Sequence, residues 1–323
     1  MPGKNLCLLS LDGGVIRGLS SLHILRELMK KIEPNRHLKP CEYFDMIGGT
    51  STGGLMAIML GRLRMDIDEC INAYMELCNR IFTKKKTLLN IKGKIQGRFD
   101  TKVLEEGIKK IVRDKTGSED TLLRDDPNAP CKTFVCATRR DATATMQFTS
   151  YKSHSDSDLL KTTKIWEAAR ATSAAPSFFD PIKIGRFGEE FGDGGTGANN
   201  PVRILWNQAQ YCLGQGGLVE RNLRYLVSIG TSIPSLEPFG DHLMEVAKTL
   251  RAIATETEMT AKSFREEYAE LAKQNRYFRF NVSRGLEKIL LEDATKTAAI
   301  VAATREYVGN VEVAERMRLC GRI

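Results

Sequence analysis

The sequence predicts an α/β protein: a largely parallel sheet with helices packed against it, in one domain. Short apolar runs of strand length alternate with longer stretches whose apolar residues recur at helical spacing. The first two runs end in glycine-rich turns that lead into a helix pattern, the connection a parallel sheet requires. No repeat of fixed period and no Pro- or Ser-rich linker divides the 323 residues. The reading is therefore a single domain over 1–323, with a helical C-terminal part from about 242.

Leu6–Leu11 is a compact apolar run entering Asp12-Gly13-Gly14, a strand feeding a turn and too short for a signal peptide. Leu19–Lys31 then places Leu22, Leu25, Leu28 and Met29 on one helical face. Tyr43–Ile47 is a second strand-like run, followed by glycines and a helix pattern over Leu55–Leu60. Asp66 and Glu69 form a capping pair for an amphipathic helix reaching Phe82, with Ile67, Ile71, Tyr74, Met75 and Ile81 as its apolar positions. Lys102–Val112 reads as helix, Thr133–Ala137 and Thr145–Thr149 as strands, and Ile165–Ala171 as helix. Leu223–Ile229 is a strand closed by Gly230, and helical patterns return from His242 to about Lys273, near Leu286–Leu290 and over Thr297–Tyr307. Thr83–Gly97 and Lys115–Pro130 read as loops.

With 42% hydrophobic and 27% charged residues, the composition excludes wholesale disorder. No apolar run approaches the ~18 residues of a membrane span. A net charge of +8 favours anionic partners, and without a nucleic-acid-binding motif the expected one is a membrane surface. Lys84–Arg98, where five Lys and one Arg interleave with Leu88, Leu89, Ile91 and Ile95, is the segment expected to dock there. Eight cysteines without CxxC pairs read as reduced thiols, which places the protein in the cytoplasm, with transient membrane association. There is no H-E-x-x-H and no acidic loop of calcium-ligand spacing, so neither metal nor cofactor is expected.

Gly49-Thr50-Ser51-Thr52-Gly53 is the strongest chemical signal. A nucleophilic Ser needs a sharp strand-to-helix turn, and glycines two residues to either side remove the side chains that would block it. Gly230-Thr231-Ser232-Ile233-Pro234 also follows a strand, but Pro stands where a helix would begin, so Ser232 reads as a structural turn. None of His23, His37, His154 and His242 reads as a triad base: His23 is mid-helix, His37 lies in a turn, His154 in a polar loop, and His242 opens a helix.

Two Asp-Gly-Gly elements complete the set. Asp12-Gly13-Gly14-Val15-Ile16-Arg17-Gly18 follows a strand and opens a helix, where converging backbone N–H groups make an anion site. A phosphate loop is excluded by Leu19 in place of the required Lys, and a dinucleotide fingerprint by Val15 in place of its middle glycine. An oxyanion hole needs only amides and survives both objections. In Asp193-Gly194-Gly195 the glycines let other backbone approach one acid, and partial desolvation makes that carboxylate a plausible base for a Ser hydroxyl.

In this order, the glycine-rich turn with Arg17, Gly-Thr-Ser-Thr-Gly-Gly and Asp-Gly-Gly resemble the patatin-like phospholipases, fungal-type members in particular. The likeness continues through Ala168-Ala169-Arg170-Ala171-Thr172-Ser173-Ala174-Ala175-Pro176 and Leu226-Val227-Ser228-Ile229-Gly230, and runs from about Leu6 to Tyr307. It implies a three-layer α/β fold, with a central, mostly parallel sheet flanked by helices. It also implies a Ser–Asp dyad without His, by position Ser51 as nucleophile and Asp193 as base. An oxyanion hole would lie in the Asp12–Gly18 turn, at Gly13, Gly14 and Val15, with Arg17 supporting it. The implied activity is calcium-independent hydrolysis of lipid acyl esters, phospholipids among them. Gly18, Gly49, Gly53, Gly194 and Gly195 are the glycines of these motifs.

The chemistry agrees, because an alkoxide leaves an ester far more readily than an amine leaves an amide, so a weak carboxylate base suffices. One position departs from the family pattern: Val15 stands where the family has Gly. A β-branched residue tolerates positive φ poorly, so a turn that needs it is expected to rotate the peptide and aim the donor away. A negative φ there would cost little. Two rival readings follow, a catalytically weakened lipid-binding protein and an acyltransferase using the same dyad. The sequence leaves the oligomeric state open.

Overall fold

The computed structural model describes residues 5–82, 99–153, 157–176, 178–214, 219–232, 244–287, 289 and 293–321. Among these residues eight strands form one sheet: β1 (Leu6–Leu11), β2 (Met46–Thr50), β3 (Lys132–Arg139), β4 (Ala144–Thr149), β5 (Ile182–Ile184), β6 (Glu189–Asp193), β7 (Leu223–Ile229) and β8 (Tyr277–Phe280). The run β8-β7-β1-β2-β3 is parallel throughout. β4 and β6 are antiparallel to β3, and β5 is antiparallel to β6. The fold is the mostly parallel, helix-flanked sheet that the sequence predicts.

Side chains of the parallel strands alternate between two apolar layers, as a two-residue period dictates. Leu9, Leu11, Ile47, Val135, Val227 and Phe280 enter the larger layer, beneath the helices Gly18–Ile32, Ile67–Ile81, Thr101–Thr116, Ile165–Thr172 and Thr297–Gly309. Leu6, Leu8, Met46, Phe134 and Leu226 enter the smaller one, beneath Val202–Leu213 and Met244–Glu267. The strands are buried on both faces, which is why they read as continuous apolar runs.

The edges of β3 position everything that follows. β4 pairs with β3 from Phe134 to Arg139 and takes up one edge. On the other, β2 pairs with Lys132–Cys136 and β6 with Ala137–Arg139. β2 and β6 therefore meet end to end: Thr50 lies opposite Cys136, and Asp193 opposite Ala137, the next residue.

Several boundaries differ from the sequence reading. The second strand starts at Met46, because Pro40 opens a short helical turn, Pro40–Tyr43, capped by the Lys39 N–H donating to the Glu42 carboxylate at 2.9 Å. Tyr43, packed against the larger apolar layer, donates to the Cys320 carbonyl at 2.9 Å. The helix after Ser51 spans Thr52–Ala57 and widens into a π turn over Ile58–Arg62. Leu286, Glu287 and Ile289 are not helical: Gly285 takes φ +88 and its N–H donates to the Glu287 carboxylate at 2.7 Å, turning the chain. Leu286 and Ile289 are nonetheless buried. The sequence reading does not include β5, β6, β8 or Val202–Leu213. His154, His242 and Lys84–Arg98 lie outside the described residues. All eight thiols are free.

The capping box is as expected, with Glu69 N–H donating to Asp66 at 2.8 Å and Asp66 N–H donating to Glu69 at 3.0 Å. Asp66→Ala should therefore lower stability by about 1 kcal/mol, read as a lower urea midpoint at unchanged slope.

Candidate active site

β2 ends at Thr50 and a helix begins at Thr52, which leaves Ser51 to turn the chain by itself, at φ 55 and ψ −125. The flanking glycines make the turn possible by contact. A Cβ on Gly49 would lie 2.1 Å from the Gly53 carbonyl oxygen, and one on Gly53 would lie 2.1 Å from that of Leu11. Thr172 accepts the Ser51 N–H at 2.9 Å and donates to the Cys136 carbonyl at 2.6 Å, tying the turn to β3.

Asp193 arrives from the other side. Its main chain is fixed by donating to the Ala174 carbonyl at 3.0 Å and accepting from Thr138 Oγ1 at 2.9 Å. A Cβ on Gly194 would strike the Cys136 carbonyl oxygen at 2.5 Å, so only glycine lets this turn lie against β3. Ser51 Oγ donates to Asp193 Oδ2 at 2.5 Å, and Gly195 N–H donates to Oδ1 at 2.7 Å. Ser51 is 9% exposed and Asp193 4%, so the pair is largely withdrawn from water. Burial pushes the Asp193 carboxyl up to about 7, against the opposing hydrogen bonds from Ser51 and Gly195. A hydroxyl hydrogen-bonded to a carboxylate of that basicity is set for proton transfer between them.

The Asp12 turn closes the third side. Asp12 N–H donates to the Ile229 carbonyl at 3.1 Å, and a Cβ on Gly13 would lie 3.0 Å from that of Ser51. Gly13 departs from the sequence expectation: its N–H donates to the Asn199 carbonyl at 3.1 Å and is not a free donor. No acceptor among the described residues meets the N–H of Gly14 or Val15. Val15 takes φ 48, so the turn does require the left-handed region, and Val15 adopts it instead of rotating away. The cost, roughly 1–2 kcal/mol, is held as backbone strain, with Tyr74 OH donating to the Val15 carbonyl. A Cβ on Gly18 would lie 2.3 Å from Thr52 Cγ2, so the helix that opens there starts beside the Ser51 turn. Arg17 is buried, and its Nε and Nη2 donate to the Ile289 carbonyl at 3.0 and 2.5 Å. It ties the turn to Ile289; burial lowers its pKa to about 10, against the pull of Glu287.

Ser232 is a turn residue at φ 79 whose N–H donates to Asn281 at 2.7 Å. His23 is half-buried, its pKa pushed down to about 4 chiefly by burial, and it interacts with Arg26, Asp68, Glu27 and Arg305 instead of Ser51 or Asp193. His37 is exposed. Sequence reasoning missed Thr172, Asn199, Thr231 and Arg279. Thr172 and Thr231 lie within motifs of the sequence that assign them no role; Thr231 donates to the Gly13 carbonyl at 2.7 Å.

The family model for patatin-like phospholipase matches residues 9–206, which span all three turns. The chain belongs to the patatin-like phospholipase family. Calcium-independent phospholipase A2-gamma of Rattus norvegicus is 30% identical over 241 residues, 72% of this chain and 29% of that protein. Phospholipase A I of Arabidopsis thaliana is 24% identical over 338 residues, 87% of this chain and 25% of that one. The cGAMP-activated phospholipase of Escherichia coli is 29% identical over 209 residues, covering 61% and 53%. This patatin chain thus spans under a third of the first two relatives. Among solved structures, VipD from Legionella pneumophila shares 12% identity at a TM-score of 0.42, covering 94% of this chain and 67% of that one.

Two outcomes follow from the patatin site's energetics. A carboxyl raised from 3.8 to about 7 on folding stabilises the fold at low pH and loses that contribution as pH rises through the window between the two values. Asp193→Asn escapes the loss, so its stability relative to the parent should grow with pH across that window, by on the order of 1.4 kcal/mol per pH unit. Thermal melts at pH 4, 6 and 8 would show it. Val15→Gly should raise stability by about 1 kcal/mol by releasing the left-handed strain, measured by urea unfolding.

Proposed function

We propose that this protein is a serine lipid acyl hydrolase that cleaves acyl esters of membrane phospholipids through Ser51 and Asp193. The observation that carries the reading is the 2.5 Å hydrogen bond from Ser51 Oγ to Asp193 Oδ2, a carboxylate whose basicity burial has raised to near neutrality. Family membership supports lipid acyl hydrolysis as the class of reaction.

Ser51 Oγ attacks the ester carbonyl carbon while its proton passes to Asp193. The carbonyl oxygen gains the negative charge and is met by the N–H groups of Gly14 and Val15. As the tetrahedral intermediate collapses, the C–O bond to the alcohol breaks, and Asp193 returns the proton to the departing lysophospholipid oxygen. The acyl group remains on Ser51. Water then gives a proton to Asp193 and attacks the acyl carbon; the bond to Ser51 Oγ breaks, Ser51 recovers the proton, and the fatty acid leaves. No histidine is needed, because the alkoxide leaving group asks less of the acid than an amine would. Ionised Asp193 is the active form, so kcat/KM should rise with pH through about 7.

The substrate lies in a bilayer, and the net charge of +8 draws the protein to anionic surfaces, so we place it in the cytoplasm with transient membrane contact. Because Val15 keeps the turn's conformation, both amides stay available, which favours a working hydrolase over an inert lipid-binding protein.

Ser51→Ala and Asp193→Asn should each abolish phospholipid hydrolysis while the fold persists. A fluorophosphonate probe should label Ser51 in the parent and not in Ser51→Ala, with peptide mapping to locate the adduct. Labelling at another serine would overturn the assignment.

A further inference from the structure

We propose that Thr257 and Glu258, consecutive residues of the helix Met244–Glu267, are positioning residues that hold the Asp12-Gly13 turn through two parallel arms. The inference rests on the hydrolase reading above and extends it to a part of the chain beyond residues 9–206, where the family model matches.

The first arm is neutral. Thr257 is buried, and its Oγ1 accepts from Asn199 Nδ2 at 2.8 Å. Asn199 grips Gly13 at both main-chain groups: its carbonyl accepts the Gly13 N–H at 3.1 Å, and its Nδ2 donates to the Gly13 carbonyl at 3.3 Å. The second arm is charged. Glu258 Oε1 pairs with Arg279 Nη2 at 2.8 Å, and the same Nη2 pairs with Asp12 Oδ2 at 2.7 Å. Arg279 Nη1 donates to Ser228 Oγ at 2.9 Å, and Asn281 Nδ2 donates to Glu258 Oε1 at 2.9 Å, which fixes the middle of the arm and its helix end. Neighbouring residues on one helix thus reach neighbouring residues on one turn, each through a single intermediary.

The arrangement suits a rate more than a stability. The Asp12–Arg279 link is buried, while the Glu258 side chain is 38% exposed; a buried ion pair returns little net stability over an apolar replacement, whereas it does fix geometry. Dipoles that stabilise an oxyanion act only if they are already aimed when charge develops. Asp12 and Gly13 directly precede Gly14 and Val15, whose N–H groups meet no acceptor among the described residues, and Gly13 lies against Ser51. The neutral arm has a second effect: Asn199 follows the Asp193 turn within the same short segment, so it sets the spacing between base and donors.

The test uses the full chain with Thr257→Val, Glu258→Gln and the double variant. Three quantities are measured: kcat and KM on a soluble short-chain ester, the second-order rate of fluorophosphonate labelling at Ser51, and urea stability. Each single variant should lower kcat and the labelling rate about tenfold with KM within about twofold, since a misplaced donor costs transition-state stabilisation and not ground-state binding. Arg279→Lys should keep more activity than Arg279→Met; because the latter risks unfolding, the Thr257 and Glu258 variants decide. If kcat and labelling stay within about twofold of the parent in the double variant, the arms are structural only and the proposal fails. A rise in KM alone fails it as well. A parent that does not label at Ser51 overturns the hydrolase reading itself, a result distinct from labelling that the variants leave unchanged.

Discussion

One edge of β3 is shared end to end by two strands of opposite direction, and the site depends on that register. β2 stops opposite Cys136 and β6 stops opposite Ala137, so the residues at their tips are brought together by the ladder itself. The pairing also orients them: β2 points toward the junction and β6 returns to it from outside. A slip of one residue in either pairing would turn Ser51 or Asp193 to the other face of the sheet. The two apolar layers resist such a slip, because every strand residue on the wrong face would exchange one packed core for another.

Within that frame, two buried aspartates lead different lives. Asp12 is fully buried, and burial raises its pKa to about 6, but Arg279 stands beside it and opposes the rise. Among the described residues Asp193 has no such counter-ion; a hydroxyl and an amide donate to it, and burial carries it to about 7. The first sits in an ion pair with a guanidinium contributed by an edge strand. The second is bound to the hydroxyl that the proposed reaction would have it deprotonate.

The sequence made the central parallel strands legible because strands buried on both faces leave continuous apolar runs. It made Ser51 and the two Asp-Gly-Gly turns legible because tight backbone approach demands glycine at particular positions. β6 was invisible for the opposite reason. Glu189-Glu190-Phe191-Gly192-Asp193 has poor strand propensity and is held extended by its neighbours on β3 and β5, a tertiary effect. β8 is only four residues long, and nothing local marks Arg279 as anything but a surface cation. Nor can a sequence say which amides of a glycine-rich turn are already engaged: that Gly13 is occupied depends on Asn199. Tyr43 reads as strand because an aromatic beside apolar residues looks the same there as in a helical turn, here Pro40–Tyr43, that buries its Pro and Cys.

The guanidinium bridge from β8 to the first turn has a consequence for inheritance. Asp12 and Arg279 stand near opposite ends of the chain, and their dependence is one-sided: without Arg279 the fully buried Asp12 loses its cation, whereas Arg279 without Asp12 keeps Glu258. Drift is therefore easier at Asp12 than at Arg279, and recombination that brings in a β8 without the guanidinium would yield progeny that carry an orphaned acid.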